Sequence, residues 1–219
     1  MNVSIQGGKL CCKIIGNKSK EIMKTIVPAQ REGNAYDTIT ERFFTTEKLA
    51  RAQFQVARKR LLAVNHWHKI AGEEKAEFAL VDGRGKQIER MPAIGDFIRI
   101  DIPGPMNHSG DGFDWVQIEE IAEDEEIHEE FISIRVRPSS NPEKHKGETA
   151  HFFDDAATST FVIKREGNQI SAEVHGRNEK PNLEEVSLID KIRNTFVAFG
   201  GILGGSNIQW KSFTEGLVA

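Results

Sequence analysis

The sequence predicts an α+β protein: an antiparallel sheet packed on a long C-terminal helix, preceded by an N-terminal arm. Three observations carry this. An apolar stripe at helical spacing runs through residues 45–64, apolar residues alternate with a period of two from about residue 76 to 175, and helical spacing returns after Ser187. Strands with one apolar face each are the pattern of an antiparallel sheet covered on one side.

Residues 1–44 form the arm, read as short strands or irregular chain; residues 45–219 form the α+β domain. In the arm Val3 and Ile5 alternate and Leu10 to Ile15 make a short apolar run, and Asn34 to Phe44 has room for one strand. Thr45 to Val64 is a helix. Thr45 or Thr46 can cap it, and Glu47 suits the positive end of its dipole. Ala50, Phe54, Ala57, Leu61 and Val64 share one face. Arg51, Arg58 and Lys59 lie away from it and read as a solvated face rather than one meeting an acidic partner.

Strand candidates follow at 76–81, 86–91, 97–102, 115–121, 131–137, 158–165 and 169–175. Asp82-Gly83 turns the first into the second, and Glu166-Gly167-Asn168 turns the sixth into the seventh. Residues 138–157 are a long polar connection, a length that favours functional or mobile loops. Glu119 to Glu130 holds eight acids in twelve residues and reads as a solvated strand end and loop. Ser187 caps the closing helix, with Ile189, Ile192, Phe196, Phe199 and Leu203 on one face. Gly200-Gly201 and Gly204-Gly205 interrupt or end it, and Ser206 starts a short last helix carrying Trp210, Phe213 and Leu217.

The balance of charge excludes some classes. With 29 basic and 33 acidic side chains the chain has no basic excess to meet nucleic acid. The two cysteines, Cys11 and Cys12, are neighbours, a strained geometry for a disulfide, so a reducing compartment is expected. No signal peptide or membrane span is read, and the expected location is cytoplasmic.

No motif carries chemistry on its own. His66 and His68 are the metal candidates, but structural zinc takes four ligands and no third lies nearby. The reading preferred is a helix-ending segment in which Trp67 packs and the histidines are wet; no metal and no cofactor is expected. His108, Asp111 and Asp114 in MNHSGDGFD, with His151 before Asp154 and Asp155, are candidates for an acid–base site. The same residue types serve ordinary turns. GGILGG follows a helix rather than a strand and is no dinucleotide fingerprint. Trp67, Phe97, Trp115, Phe161, Phe196 and Phe199 are the candidates to line an apolar ligand site, against a default of core packing.

NHWHKI at residues 65–70 and EFALVDGRGKQIER at 77–90, set between one helix and a closing helix, resemble the START-like and polyketide-cyclase-like ligand-binding domains over about residues 35–205. The resemblance implies a helix-grip arrangement, a curved antiparallel sheet gripping a C-terminal helix, and a ligand between them. It carries over no functional residue. The chain departs from the pattern in its arm, its 138–157 loop and the glycines of its closing helix.

Three functional readings follow, in this order. The first is a binding protein holding a hydrophobic small molecule between sheet and C-terminal helix, more readily than an enzyme. The second is an interaction or assembly protein, including a homo-oligomer, using the tail IQWKSFTEGLV and the arm. The third is a hydrolase or isomerase built on His108, Asp111, Asp114 and His151.

Overall fold

A computed structural model describes residues 26–71, 76–101, 110–144, 149–151, 153–180 and 202–219, with side chains of the last stretch from Trp210 onward. Its elements are β1 (Asn34–Phe43), α1 (Glu47–Leu62), a 3-10 turn (Val64–His66), α2 (Trp67–Ala71), β2 (Glu77–Val81), β3 (Phe97–Asp101), β4 (Asp114–Glu125), β5 (Glu129–Pro138), β6 (Thr158–Glu166), β7 (Gln169–Glu179) and α3 (Ile202–Val218). The seven strands form one antiparallel sheet in the order β1-β7-β6-β5-β4-β3-β2. β2 to β7 are therefore a meander, and β1 returns to pair with β7. Register shifts in β4 between Ile118 and Glu120, and in β1 between Asn34 and Tyr36, add local bend to the curved sheet.

Each element obeys local rules. Thr46 caps α1 by accepting a hydrogen bond from the Leu49 amide at 3.3 Å. Ala50, Phe54, Ala57, Leu61 and Val64 are buried as their spacing requires. The α1 stripe, α2 and α3 cover one face of the sheet, whose inward side chains include Ile118, Ile132, Ile134, Phe161, Ile163, Ala172 and Val174. Trp67 sits at the centre, its ring 4.8 Å from Phe161, 5.1 Å from Phe213 and 5.5 Å from Phe78. Its Nε1 donates to the Leu61 carbonyl at 2.9 Å, so the one polar atom of a fully buried indole is paired.

α3 is held by its C-terminal carbonyls. Arg60 Nη1 donates to Gly216, Leu217 and Ala219, Arg42 Nη1 to Val218, and Gln53 Nε2 to Val218 and Ala219. A cation at a helix C-terminus satisfies orphan carbonyls and meets the negative end of the dipole. At the same end of the strands, where Arg42 and Arg165 both pair with Ile170, Arg165 and Glu130 form an ion pair with side chains 1% and 0% exposed. The same guanidinium donates to the carbonyls of Ile127, His128 and Gly167, tying two hairpins together.

Four expectations are corrected. Residues 86–91 are not a strand: only an isolated Val81–Gln87 bridge forms after the 82–86 turn, and the seventh strand is β1. Gly204-Gly205 does not break the last helix, which runs continuously from Ile202 because i→i−4 bonding tolerates glycine at a modest cost. The tail is not free for a partner: Phe213, Leu217 and Val218 are 0%, 1% and 3% exposed in this chain's own core. α1's basic face is not simply solvated: Arg58 pairs with Glu123 and Arg51 with Glu125 and Glu130, while the acidic run itself is the expected exposed strand end and turn between β4 and β5. The helix expected from Ser187 lies outside the described residues up to Gly201.

Candidate functional site at the β1–β7 end of the sheet

β1 and β7 run from Asn34↔Glu179 to Phe43↔Gln169, with Tyr36 opposite Gly176. Between the first two pairs β7 advances three residues while β1 advances two. Asn178 takes up the difference with φ 57°, a left-handed conformation that asparagine tolerates. It is locked there by its side chain: Oδ1 accepts from the Arg31 and Glu32 amides at 2.7 and 3.2 Å. The strand's alternation is broken at this point, and the Glu179 carboxylate turns back against Gly176 and Tyr36.

Glu179 is 3% exposed. Burial pushes its carboxyl up to about 7, opposed by the charge of Arg177. Beside it the Tyr36 ring is partly exposed while its hydroxyl is crowded by protein. Burial and then the Glu179 charge push that phenol far above its usual range, opposed by the Ser159 and Trp210 side chains and by the charge of Arg177. Trp210 belongs to α3 and packs on Phe161 at 5.4 Å and Phe213 at 6.0 Å. The cluster thus lies where sheet and C-terminal helix meet. Gly176 is required: a Cβ there would collide with the Tyr36 ring and sit 2.5 Å from Glu179 Oε1. Near neutral pH Glu179 can donate or accept, and Tyr36 stays protonated.

The opposite face of β7 carries a second polar line. Ser171 Oγ donates to Glu173 Oε1 at 2.6 Å, His175 Nε2 meets Glu173 Oε2 at 2.8 Å, and His175 Nδ1 meets Asp37 Oδ1 at 2.6 Å. The residue types are those of a nucleophile triad, but the serine touches the acid and not the imidazole, so nothing here would activate it. Burial opposes charge on His175, yet Glu173 and Asp37 outweigh it and hold the imidazole above its ordinary value. The line is an ion-pair latch joining β1 to β7.

The residues singled out from sequence fall in several places. Trp67 and Phe161 come together in the aromatic core. Phe97 and Trp115 lie on the other face, in a smaller cluster with Ala79, Val81 and Ala150, so these four do not line one cavity. Phe196, Phe199 and His108 lie outside the described residues. Asp111 (φ 57°) is engaged by Asn141 Nδ2 at 3.0 Å and Lys144 Nζ at 2.7 Å. Asp114 and His151 are brought close enough for the carboxylate to act on the imidazole, which burial holds below its ordinary value. His151 Nδ1 accepts from the Phe153 amide at 3.0 Å. His66 is exposed at the end of the 3-10 turn and His68 is partly exposed on α2. Among the described residues no three His, Cys, Asp or Glu side chains are grouped to hold a metal ion, and no helix is long and apolar enough to cross a membrane.

Tyr36, Arg177 and Glu179 were not singled out from sequence. The signal available was the polar alternation Ser171, Glu173, His175, Arg177, Glu179, which continues β7 four residues past His175.

No family model matches this chain, and no curated protein matches it. Solved structures do. A hypothetical protein of Helicobacter pylori is similar at 12% identity, covering 89% of this chain and 91% of that one, with a TM-score of 0.43. A truncated norcoclaurine synthase from Thalictrum flavum is similar at 9% identity, covering 87% and 96%, with a TM-score of 0.38. A major latex-like protein from Panax ginseng is similar at 12%, covering 76% and 97%, with a TM-score of 0.31. Identities and scores this low transfer neither ligand nor activity.

Proposed function

We propose that this protein binds a small, largely apolar molecule carrying a hydrogen-bonding group, between the sheet and the C-terminal helix, where Tyr36, Glu179 and Trp210 meet. One observation carries the reading: Glu179 is 3% exposed, its carboxyl is raised to about 7 by burial, and it lies against Gly176 and beside the Tyr36 ring where sheet and helix meet. Burying a carboxyl costs stability, and a buried acid with a raised pKa at the mouth between two elements is a group a ligand can pair with. A mostly apolar surround with a few converging polar groups is the usual make-up of small-molecule sites. Here the apolar part comes from Trp210 and Phe161, and the polar part from Glu179, Tyr36 and Ser159.

The test is titration with an apolar fluorescent probe, anilinonaphthalene sulfonate, followed by competition with medium-chain alcohols and carboxylic acids. Tryptophan emission is followed in parallel, with W210F subtracted to isolate Trp210 from Trp67 and Trp115. E179Q and Y36F are each expected to weaken the competing molecule by about five- to tenfold, the worth of one hydrogen bond. Absence of saturable binding, or unchanged affinity in both variants, overturns the reading.

A further inference from the structure

The two margins of the sheet are built differently. At one, β2 is five residues long and its outer edge is already used. The Leu80 amide donates to Asn65 Oδ1 at 2.7 Å, the Leu80 carbonyl accepts from the Ile88 amide at 3.0 Å, and Val81 bridges Gln87. At the other, β1 is ten residues long, and among the described residues no strand lies beyond it. Proteins blunt such an edge with proline, lysine, a bulge or shortness. β1 has no proline, lysine or glycine between Asn34 and Phe43, and its register shift lies at its start, between Asn34 and Tyr36.

Side chains and backbone both present this edge. Thr40 and Arg42 face α3, bonding Thr214 and the Val218 carbonyl. The alternate residues Ala35, Asp37, Ile39, Glu41 and Phe43 are all exposed, Ile39 by 46% and Phe43 by 67%. The Phe44 amide donates to the Asn168 carbonyl at 2.9 Å, on the β7 side. Strand geometry alternates these directions with a period of two, so Asp37, Ile39, Glu41 and Phe43 turn amide and carbonyl to the open edge. The charges that would repel another strand are tied back to this chain. Asp37 pairs with His175 and Arg177, and Glu41 accepts from Gln169 at 2.8 Å.

We propose that β1 pairs with β1 of a second copy of this chain, antiparallel about a twofold axis at Ile39, so that two sheets join into one. A symmetric pairing needs a self-complementary strip, and this register supplies it along residues 35–43. On the outer face it sets Ile39 against the partner's Ile39 and Phe43 against the partner's Ala35. On the helix face it sets Thr38 against the partner's Thr40 and Tyr36 against the partner's Arg42. Asp37 meets the partner's Glu41 as a member of an ion-pair cluster rather than as a bare charge. An axis at Thr38 or at Thr40 would instead set Ile39 against the partner's Asp37 or the partner's Glu41. The pairing is independent of the ligand proposed between sheet and helix.

The experiment is sedimentation velocity of the full chain over about a hundredfold range of concentration, where a monomer–dimer equilibrium is expected. I39K sets two like charges against each other, and I39P removes an amide from the open edge but none from the β1–β7 ladder; each weakens the dimer about tenfold or more. Cross-linking under mild oxidation in the C11S/C12S background reads the register. I39C links to itself, because directly opposed residues bring their Cα atoms within disulfide reach. F43C does not, because each copy faces the partner's Ala35. A monomer at every concentration overturns the proposal, as does a dimer unchanged in both Ile39 variants, or F43C linking as fast as I39C. Should I39K and I39P not fold, the two cysteine variants, at exposed positions, decide alone.

Discussion

Replacing Glu179 by glutamine keeps the shape of the side chain and removes its titration. In the folded protein this carboxyl loses its proton near about 7, against an ordinary value of 4.5. Between these values the folded state holds more protons than the unfolded state, so stability falls as pH rises. Its contribution is fully present below 4.5 and is lost as pH rises through the folded value. At about 1.36 kcal/mol per pH unit the ceiling is ~3 kcal/mol. Solvent screening at the end of the sheet reduces this to about 1–2 kcal/mol. For a chain of this length that is about 3–6 °C in Tm. Differential scanning fluorimetry of wild type and E179Q from about pH 5 to about pH 8 reads the difference, since groups common to both cancel. Wild type should lose that much relative to E179Q across the range. A difference that stays flat, or that moves in wild type's favour as pH rises, refutes the burial argument for Glu179.

Three further outcomes are expected. Arg165→Met leaves the Glu130 carboxylate buried and uncompensated and should cost about 3–5 kcal/mol in urea unfolding, whereas R165M/E130L should recover most of it. Gly176→Ala forces the Tyr36 ring and Glu179 apart, at about 1–3 kcal/mol, with a shift in Trp210 emission that W210F abolishes. His175 has a raised folded value, so its stabilisation is fully present below 6.5 and is lost as pH rises from there through the higher folded value. His175→Asn should therefore destabilise most at mildly acid pH and least at alkaline pH, measured by chemical denaturation.

Much of the sheet was legible because burial on one face writes a period of two. Ile98, Ile132, Ile134, Phe161 and Ile163 are buried on the core face, with the partly buried Ile100 packed against them. The error at 86–91 has a local cause. Gln87 bridges Val81 once, and then Asn65 takes the Ile88 carbonyl and Asp96 takes the Arg90 guanidinium, so the ladder is replaced by side-chain bonds. The partners of the acidic run could not be read along the chain, because its neutralising arginines lie across it, on α1 and β5. The Tyr36–Glu179 pair could not be seen in one dimension. It needs the return of β1 to β7 and the extra residue at Asn178 that turns Glu179 inward. Composition carries no trace of either.

The pairing of the first strand with the last has a consequence for how the chain is made. Six neighbouring strands can zip up one after another as they leave the ribosome, each meeting the one before it. The N-terminal strand has no such neighbour. Asp37 must wait for His175, 138 positions later, before its edge is closed. During synthesis two raw margins stand open at once, and translation speed through that interval, rather than any single contact, governs how long the nascent protein is prone to stick to its neighbours.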